Sequence, residues 1–219
     1  AETFNLTAIL NAYQKKNLTP QQTMNKINIR DIFSMAGNVD VDIDKFIFRK
    51  MEFDNLNTNL QIAPGVIRAN DLNTTTMGGN LRATGVVRFT TDNALNLKLD
   101  VSAIKLDIPK IFYECEDFGQ SVLTGKNLKG TLTTSVSLNA TWNNYKVLDA
   151  KTLSAIVDFK IQNGELIKFE PLRAASKFIQ VEELQDIRFA DLENTIKIAD
   201  SRIDIPEFEI KSSAFNFMF

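Results

Sequence analysis

The chain has 219 residues, and its 25 lysines and arginines nearly balance its 27 aspartates and glutamates, leaving a formal net charge of −2. This balance gives neither the basic footprint of a nucleic-acid-binding protein nor a polybasic anchor for an anionic membrane. The absence of histidine excludes the usual catalytic triads and most zinc and iron sites, and the single cysteine cannot form an internal disulfide. We therefore predict a protein that is not an enzyme and that uses no cofactor or metal.

The ends of the chain predict a piece of a longer protein. It begins with Ala1 rather than Met, and no apolar run approaches the ~20 residues of a membrane helix. We expect any targeting or anchoring element to lie outside this chain, and the native protein to continue beyond residue 219.

The first predicted elements are weak. Asn5-Leu6 followed by Ile9-Leu10 is typical of a helix N-cap and one or two turns. Residues 14–34 are polar and poorly periodic, which favours a helix-plus-loop connection.

Strand patterns dominate from there on. Apolar and polar residues alternate in four runs: Val39–Ile43, Leu95–Val101, Leu132–Leu138 and Val157–Ile161. A period of two indicates antiparallel strands with one buried and one hydrated face. Pro64-Gly65 predicts a turn, and Asn163-Gly164 is the strongest hairpin signal.

Two further short helices are predicted. Asp107-Ile108-Pro109 places a capping carboxylate before a proline in the first turn. Pro171 similarly predicts a helix through about Gln180. We divide one continuous domain into four parts: a short helix and connecting loop over 1–36, a first β-meander repeat over 37–103, a short helix and loop over 104–128, and a second, truncated β-meander repeat over 129–219.

An internal repeat supports the two meanders. Phe53–Leu81 aligns without a gap with Phe189–Phe217, at an offset of 136 positions. The alignment places Ile62 on Ile198 and Ala63 on Ala199. Chance resemblance between amphipathic meanders is the alternative, but the matching turn position favours a true repeat.

Three clusters of polar or glycine residues have plain structural interpretations. Tyr113–Asp117 contains Cys115 but no histidine, so an acidic loop is favoured over a metal or thiol site. Asp40, Asp42 and Asp44 lack the glycine and glutamate of a calcium loop and fit the hydrated face of a strand. Met77–Asn80 lacks the lysine of a phosphate-binding loop and predicts a turn or bulge.

Phenylalanine is unusually frequent, at 16 residues. One interpretation is an ordinary sheet core covered by a helix; the other is an apolar groove that takes acyl chains. The small number of predicted helical residues favours the groove, because an apolar sheet face needs a cover. The candidate groove residues are Phe46, Phe48, Phe89, Leu97, Leu99, Phe159, Ile161, Ile196, Ile198 and Phe217.

Four segments between about residue 150 and residue 219 carry a family resemblance: Val157–Leu166, Pro171-Leu172, Ile187–Leu192, and Thr195–Asp200 leading to Ile203–Pro206. With these segments, the stretch resembles the C-terminal region of the AsmA family. These segments follow the pattern of short helix, F-x-x-L and I-x-I-x-D/G. Residues 39–90 look like the same unit.

The resemblance implies a fold and a function. AsmA-like proteins are large Gram-negative envelope proteins that resemble TamB and the bridge-like lipid transfer proteins, with an elongated, curled, groove-like antiparallel sheet and a few short helices. It implies a periplasmic segment that shelters phospholipid acyl chains for transport and outer-membrane maintenance, held at the inner membrane by an anchor outside this chain. The alternative is a module that binds other envelope proteins and scaffolds outer-membrane protein assembly. The family brings no catalytic residues.

Overall fold

The computed structural model describes residues 3–5, 35–90, 93–119, 121–144, 147–169, 186–189, 191–206, 209–211 and 216–218. Thirteen strands and one α-helix lie in this part of the chain. They run in the order β1 (Thr3–Asn5), β2 (Gly37–Phe48), β3 (Met51–Ala63), β4 (Val66–Thr76), β5 (Gly79–Phe89), β6 (Ala94–Asp107), α1 (Ile108–Glu114), β7 (Leu128–Asn143), β8 (Val147–Ile167), β9 (Asp186–Phe189), β10 (Leu192–Ala199), β11 (Arg202–Asp204), β12 (Glu209–Lys211) and β13 (Asn216–Met218).

The strands form a meander, as the alternating runs predict. Across the described residues, eleven strands make one sheet in the order β1 to β8, then β10 and β11, with β9 also beside β8. Neighbours pair antiparallel, except that β1 pairs parallel with β2. The mainly-β, curled antiparallel sheet with few helices is therefore confirmed. β12 and β13 pair with each other in a second, two-stranded sheet.

Three strands contain a non-glycine residue with left-handed backbone inside their length. Asn55 in β3, Lys105 in β6 and Asn163 in β8 have φ angles of 52°, 57° and 53°. At each of these positions the strand gains one residue relative to a neighbouring strand, which defines a β-bulge. A bulge shifts the alternation of side chains between the two faces by one residue. Apolar residues that are an odd number of positions apart can then lie on the same face.

The elements of the aligned stretches occur in matching order. β3 corresponds to β9 and β10 together, and the turn at Pro64-Gly65 corresponds to the turn at Asp200 and Ser201. β8 is the neighbour of β9 and β10 in the sheet, as β2 is the neighbour of β3. A tight turn joins β2 to β3, whereas residues 168–185 connect β8 to β9.

Helix α1 begins where its sequence predicts. The Asp107 carboxylate caps it by accepting a hydrogen bond of 2.9 Å from the Lys110 N–H. Ile108 and Ile111 are the buried residues of the helix. The core cluster consists of Ala103, Leu106 and Ile111, with Met77, Leu81, Cys115 and Leu132 packed against it.

Two of the predicted turns are confirmed, and the predicted hairpin is not. Turns occur at Pro64-Gly65 and at Met77-Gly78, as expected. The hairpin at Asn163-Gly164 is wrong, because β8 runs straight through both residues. Asn163 uses its left-handed conformation for a bulge, and Gly164 leaves room for the ring of Phe189, which a Cβ would overlap.

The two remaining helix predictions concern residues that lie mostly outside the described part of the chain. Asn5 ends strand β1 rather than starting a described helix, and residues 6–34 lie outside the described part. The same applies to the helix predicted from Pro171 to Gln180.

Candidate functional site

One face of the large sheet is apolar across most of its width. Residues that pair directly across a ladder share a face. This pairing joins Ala83 of β5 to Val101, Val136, Val157 and Ile196 on β6, β7, β8 and β10. A neighbouring row consists of Gly85, Leu99, Leu138, Ala155 and Ile198. We call this surface the apolar face.

The same pairing places the ten predicted groove residues. Nine of them lie on the apolar face: Phe46, Phe48, Phe89, Leu97, Leu99, Phe159, Ile161, Ile196 and Ile198. Phe217 does not lie in the large sheet, because its backbone belongs to β13 of the small sheet and pairs with Ile210. The ladder ends with β11 just before Pro206, and proline has no N–H with which to extend it.

Most large side chains on the apolar face are only partly covered, although Leu106 and Ile161 are buried. Within the described residues, no large side chain is completely buried. Leu99, Leu138 and Phe159 are half-buried in the middle of the sheet. Towards its edges, Val39 is 44% exposed and Ile203 is 68% exposed. The core of a closed domain would bury such side chains more fully. This face therefore resembles a surface to which a ligand or a partner binds.

Helix α1 covers one rim of the apolar face. Its C-terminal end reaches the turn between β2 and β3, where the Glu114 carboxylate accepts a hydrogen bond of 3.3 Å from the Glu52 N–H. The Lys50 ammonium lies 3.4 Å from the Glu116 carboxylate and 5.3 Å from the centre of the Tyr113 ring. The helix therefore crosses the ends of several strands.

The opposite rim is lined by large apolar side chains. This row runs through Phe89, Leu95, Trp142 and Leu148 on β5 to β8. Phe89, Leu95 and Trp142 are half-buried, and Leu148 is 40% exposed. The two rims thus differ, because one carries a helix and the other a row of large apolar side chains.

The other face of the sheet is polar. The Asp158 carboxylate accepts hydrogen bonds from the Ser135 hydroxyl at 3.2 Å and the Thr195 hydroxyl at 2.5 Å. Two shallow depressions of about 500 and 390 Å³ share Ser102 and Ser135 in their lining. They form where small hydroxyl side chains lie between longer charged ones, so this face is readily hydrated.

Exposed ion pairs link neighbouring strands on the polar face. Hydrogen bonds from Lys160 to Asp191, at 2.8 Å, and to Glu193 raise the pKa of Lys160 and lower that of Asp191. Lys129, at 3.2 Å, lowers the pKa of Glu165. Because these groups are solvated, each pair contributes little to stability.

The surroundings of Cys115 disfavour its thiolate form. Cys115 is a half-buried free thiol at the end of α1. Burial, and then the charge of Glu114, raises the pKa of the Cys115 thiol. Burial also raises the pKa of Glu114 itself. A raised pKa leaves less thiolate, which is the reactive form.

The aspartates of β2 occupy the polar face, where Asp40 accepts a hydrogen bond of 2.7 Å from the Asn59 amide. Over the described ranges, no group of three or more histidine, cysteine, aspartate or glutamate residues is arranged to hold a metal ion. In the same ranges no helix combines the length and apolarity needed to span a bilayer.

Several residues of the apolar face are absent from the ten predicted groove residues. They include Leu60, Leu95, Val101, Val136, Leu138 and Trp142. Alternation marks most of them as inward-facing, but only the register shows which residues of different strands meet. Leu138 and Leu99, for example, are direct partners although 39 positions separate them.

Comparisons with known proteins yield no relative: no family model, no curated protein and no solved structure matches this chain. The apolar face and the sequence resemblance are therefore the grounds for a functional proposal.

Proposed function

We propose that this chain is a non-catalytic, lipid-handling segment of an AsmA-like envelope protein whose apolar face shelters acyl chains. The supporting observation is the continuous row structure of that face, in which Leu99 and Leu138 pair at the centre of the sheet yet stay half-buried. The polar face would meet the aqueous periplasm.

The energetics favour an acyl chain over water on this surface. Burying one methylene group contributes ~0.8 kcal/mol. A chain lying along a row of the apolar face would cover several half-exposed side chains at once, and both partners would lose water contact. The rows contain aliphatic and aromatic side chains rather than charged ones, so binding would depend little on the lipid headgroup.

The cellular setting comes from the sequence resemblance. In this proposal the segment acts in the periplasm in phospholipid transport and outer-membrane maintenance, and an element outside this chain anchors it at the inner membrane. The strands Met51–Ala63 and Leu192–Ala199, each followed by a turn, are the features that the resemblance and the fold share.

Lipid extraction and mass spectrometry of the purified protein, followed by titration with a fluorescent phospholipid, test the proposal. We expect co-purified phospholipid and saturable binding. Leu99→Asn should weaken binding about tenfold, because it places an amide among the acyl-chain contacts.

The matched control is Lys98→Asn, one position away on the polar face, which should bind like the original chain. Circular dichroism establishes that both variants keep the sheet. If neither co-purified lipid nor saturable binding is found, acyl-chain sheltering is ruled out.

A second candidate, a scaffold for outer-membrane protein assembly, draws on one observation. β1 pairs only with Lys45–Ile47 of the twelve-residue strand β2. Among the residues described, no strand pairs with the outer edge of Val39–Ile43. Such an edge can accept a strand from a partner. Crosslinking of envelope proteins to Val41, with no lipid bound, would favour this candidate.

A further inference from the structure

The connection between β6 and β7 exposes three large apolar side chains. Tyr113 is 67% exposed, Phe118 is 61% exposed and Val122 is 62% exposed. We call these three residues the rim patch, because α1 and the turn after it lie along the rim of the apolar face. The buried residues of the helix, Ile108 and Ile111, point away from the patch into the core.

The backbone after α1 is held in an unusual conformation. Glu116, Asp117 and Phe118 have φ angles of 55°, 51° and 55°, and Gly119 follows at 70°. Three successive non-glycine residues in the left-handed region cost free energy that the surroundings must offset. Phe118, the last of the three, carries a largely exposed side chain.

Specific contacts fix this turn in place. The rings of Phe112 and Phe118 meet edge-to-face with 5.4 Å between centroids. The Asp117 carboxylate accepts a hydrogen bond of 3.1 Å from the Gly125 N–H. The exposed ring of Phe118 is therefore presented by a braced turn rather than by a loose loop.

From these observations we propose that the rim patch inserts into the surface of an electrically neutral phospholipid bilayer. This proposal goes beyond acyl-chain sheltering, which it would serve by bringing the rim of the apolar face to the lipids. Tyr and Phe are favoured at the membrane interface, where an aromatic ring meets the boundary between headgroups and chains.

The charges around the rim patch select the kind of membrane. The connection from Lys105 to Lys126 carries four carboxylates, at Asp107, Glu114, Glu116 and Asp117, against three lysines, at Lys105, Lys110 and Lys126. Lys50, from the turn between β2 and β3, pairs with Glu116 at 3.4 Å, and Glu52 of β3 lies beside Glu114. With no excess positive charge, the patch gains nothing from anionic lipids.

The size of the rim patch argues against a protein partner. Its exposed side chains offer roughly 300–400 Å² of contact. A stable protein interface buries about 800 Å² on each partner. Two aromatic rings suffice for shallow insertion into a bilayer but not for a lasting protein contact.

Flotation with phosphatidylcholine vesicles tests this inference. We expect the protein to float with the vesicles, with little change when anionic lipid or salt is added. Tyr113→Ser/Phe118→Ser should reduce the bound fraction about tenfold. The matched control is Ile156→Ser, which removes a 48% exposed apolar side chain from the polar face and should leave flotation unchanged.

Tryptophan fluorescence measures insertion into the bilayer directly. In a variant that combines Phe118→Trp with Trp142→Phe, brominated lipid should quench the tryptophan fluorescence. Vesicles should shift its emission to the blue. The inference is overturned if the protein does not float with vesicles, or if the double-substituted protein floats as well as the original chain. It is also overturned if vesicle binding needs anionic lipid. Self-association through the rim patch, without vesicle binding, would overturn it as well. Titration with monomeric fluorescent lipid separates the two proposals, because loss of the rim patch should leave that binding intact.

Discussion

Ala103 and Leu106 lie on the same face of the sheet although three positions separate them in strand β6. Ala103 pairs with Thr134 and Leu106 pairs with Leu132, and these partners are two positions apart on β7. The bulge at Lys105, with φ 57°, absorbs the additional residue. The apolar face can therefore continue to the helix-covered rim.

The bulge at Lys105 predicts a sharp dependence on side-chain shape. Lys105→Val should destabilise the fold by about 1–2 kcal/mol, because a β-branched side chain disfavours left-handed backbone. Chemical denaturation gives the free energy of unfolding. Lys98→Val, in the regular part of β6, is the control and should be neutral or slightly stabilising. Equal losses for the two variants would contradict the role assigned to the bulge.

The contact between Gly164 and Phe189 predicts a second effect. Gly164→Ala should cost about 1–3 kcal/mol, because its Cβ would overlap the Phe189 ring. Combining it with Phe189→Leu, which frees space, should cost less than the sum of the single changes. Additive losses in urea denaturation would show that the ring does not set the requirement for glycine.

Burial of Ile111 predicts that this side chain helps to anchor α1. Ile111→Ala should lower the free energy of unfolding by about 2–4 kcal/mol, because Ile111 belongs to the small core cluster. Lys110→Ala, on the exposed side of the same helix, should change it by less than about 0.5 kcal/mol. Thermal unfolding distinguishes the two, and an equal response would place the anchor elsewhere.

The ion pairs of Glu165 predict an acid dependence of stability. Lys129, and then Arg188, lowers its pKa below the ordinary value of 4.5. The stabilisation is therefore complete above about pH 4.5 and disappears as the pH falls through the lowered pKa. Glu165→Gln should slightly reduce stability at neutral pH and flatten its decline in acid.

Urea denaturation between neutral and acidic pH measures this change. Lys129→Met removes the nearer partner and should flatten the acid decline in the same direction. In that background Glu165→Gln should add less than it does alone. An unchanged acid profile in Glu165→Gln would show that the pairs do not affect folding.

Sequence patterns predict the strands, the turn at Pro64-Gly65 and the helix after Asp107, because each depends on local chemistry. They fail at Asn163-Gly164, where the same left-handed preference serves a bulge instead of a hairpin. Which outcome occurs depends on the long-range pairing of β8 with β7 and β9. Local sequence carries no information about those partners.

The sequence predicts which kinds of residue lie on the apolar face, but not how far that face extends across the strands. Alternation identifies Leu97 and Leu99 as residues of one face. It does not show that Leu99 meets Leu138, or that both remain half-buried. The exposed turn at Phe118 has no sequence signal, because left-handed backbone at three successive non-glycine residues is sustained only by its surroundings.

Photolabelling with a phospholipid that carries a diazirine in its acyl chain tests the central claim most directly. Strand β6 provides an internal comparison, because Leu97, Leu99 and Val101 lie on the apolar face and Lys98 and Asp100 on the polar face. We expect mass spectrometry to find labels on the first set and not on the second. Labels spread equally over both sets, or no labelling of β6, would contradict an acyl-chain site on the apolar face.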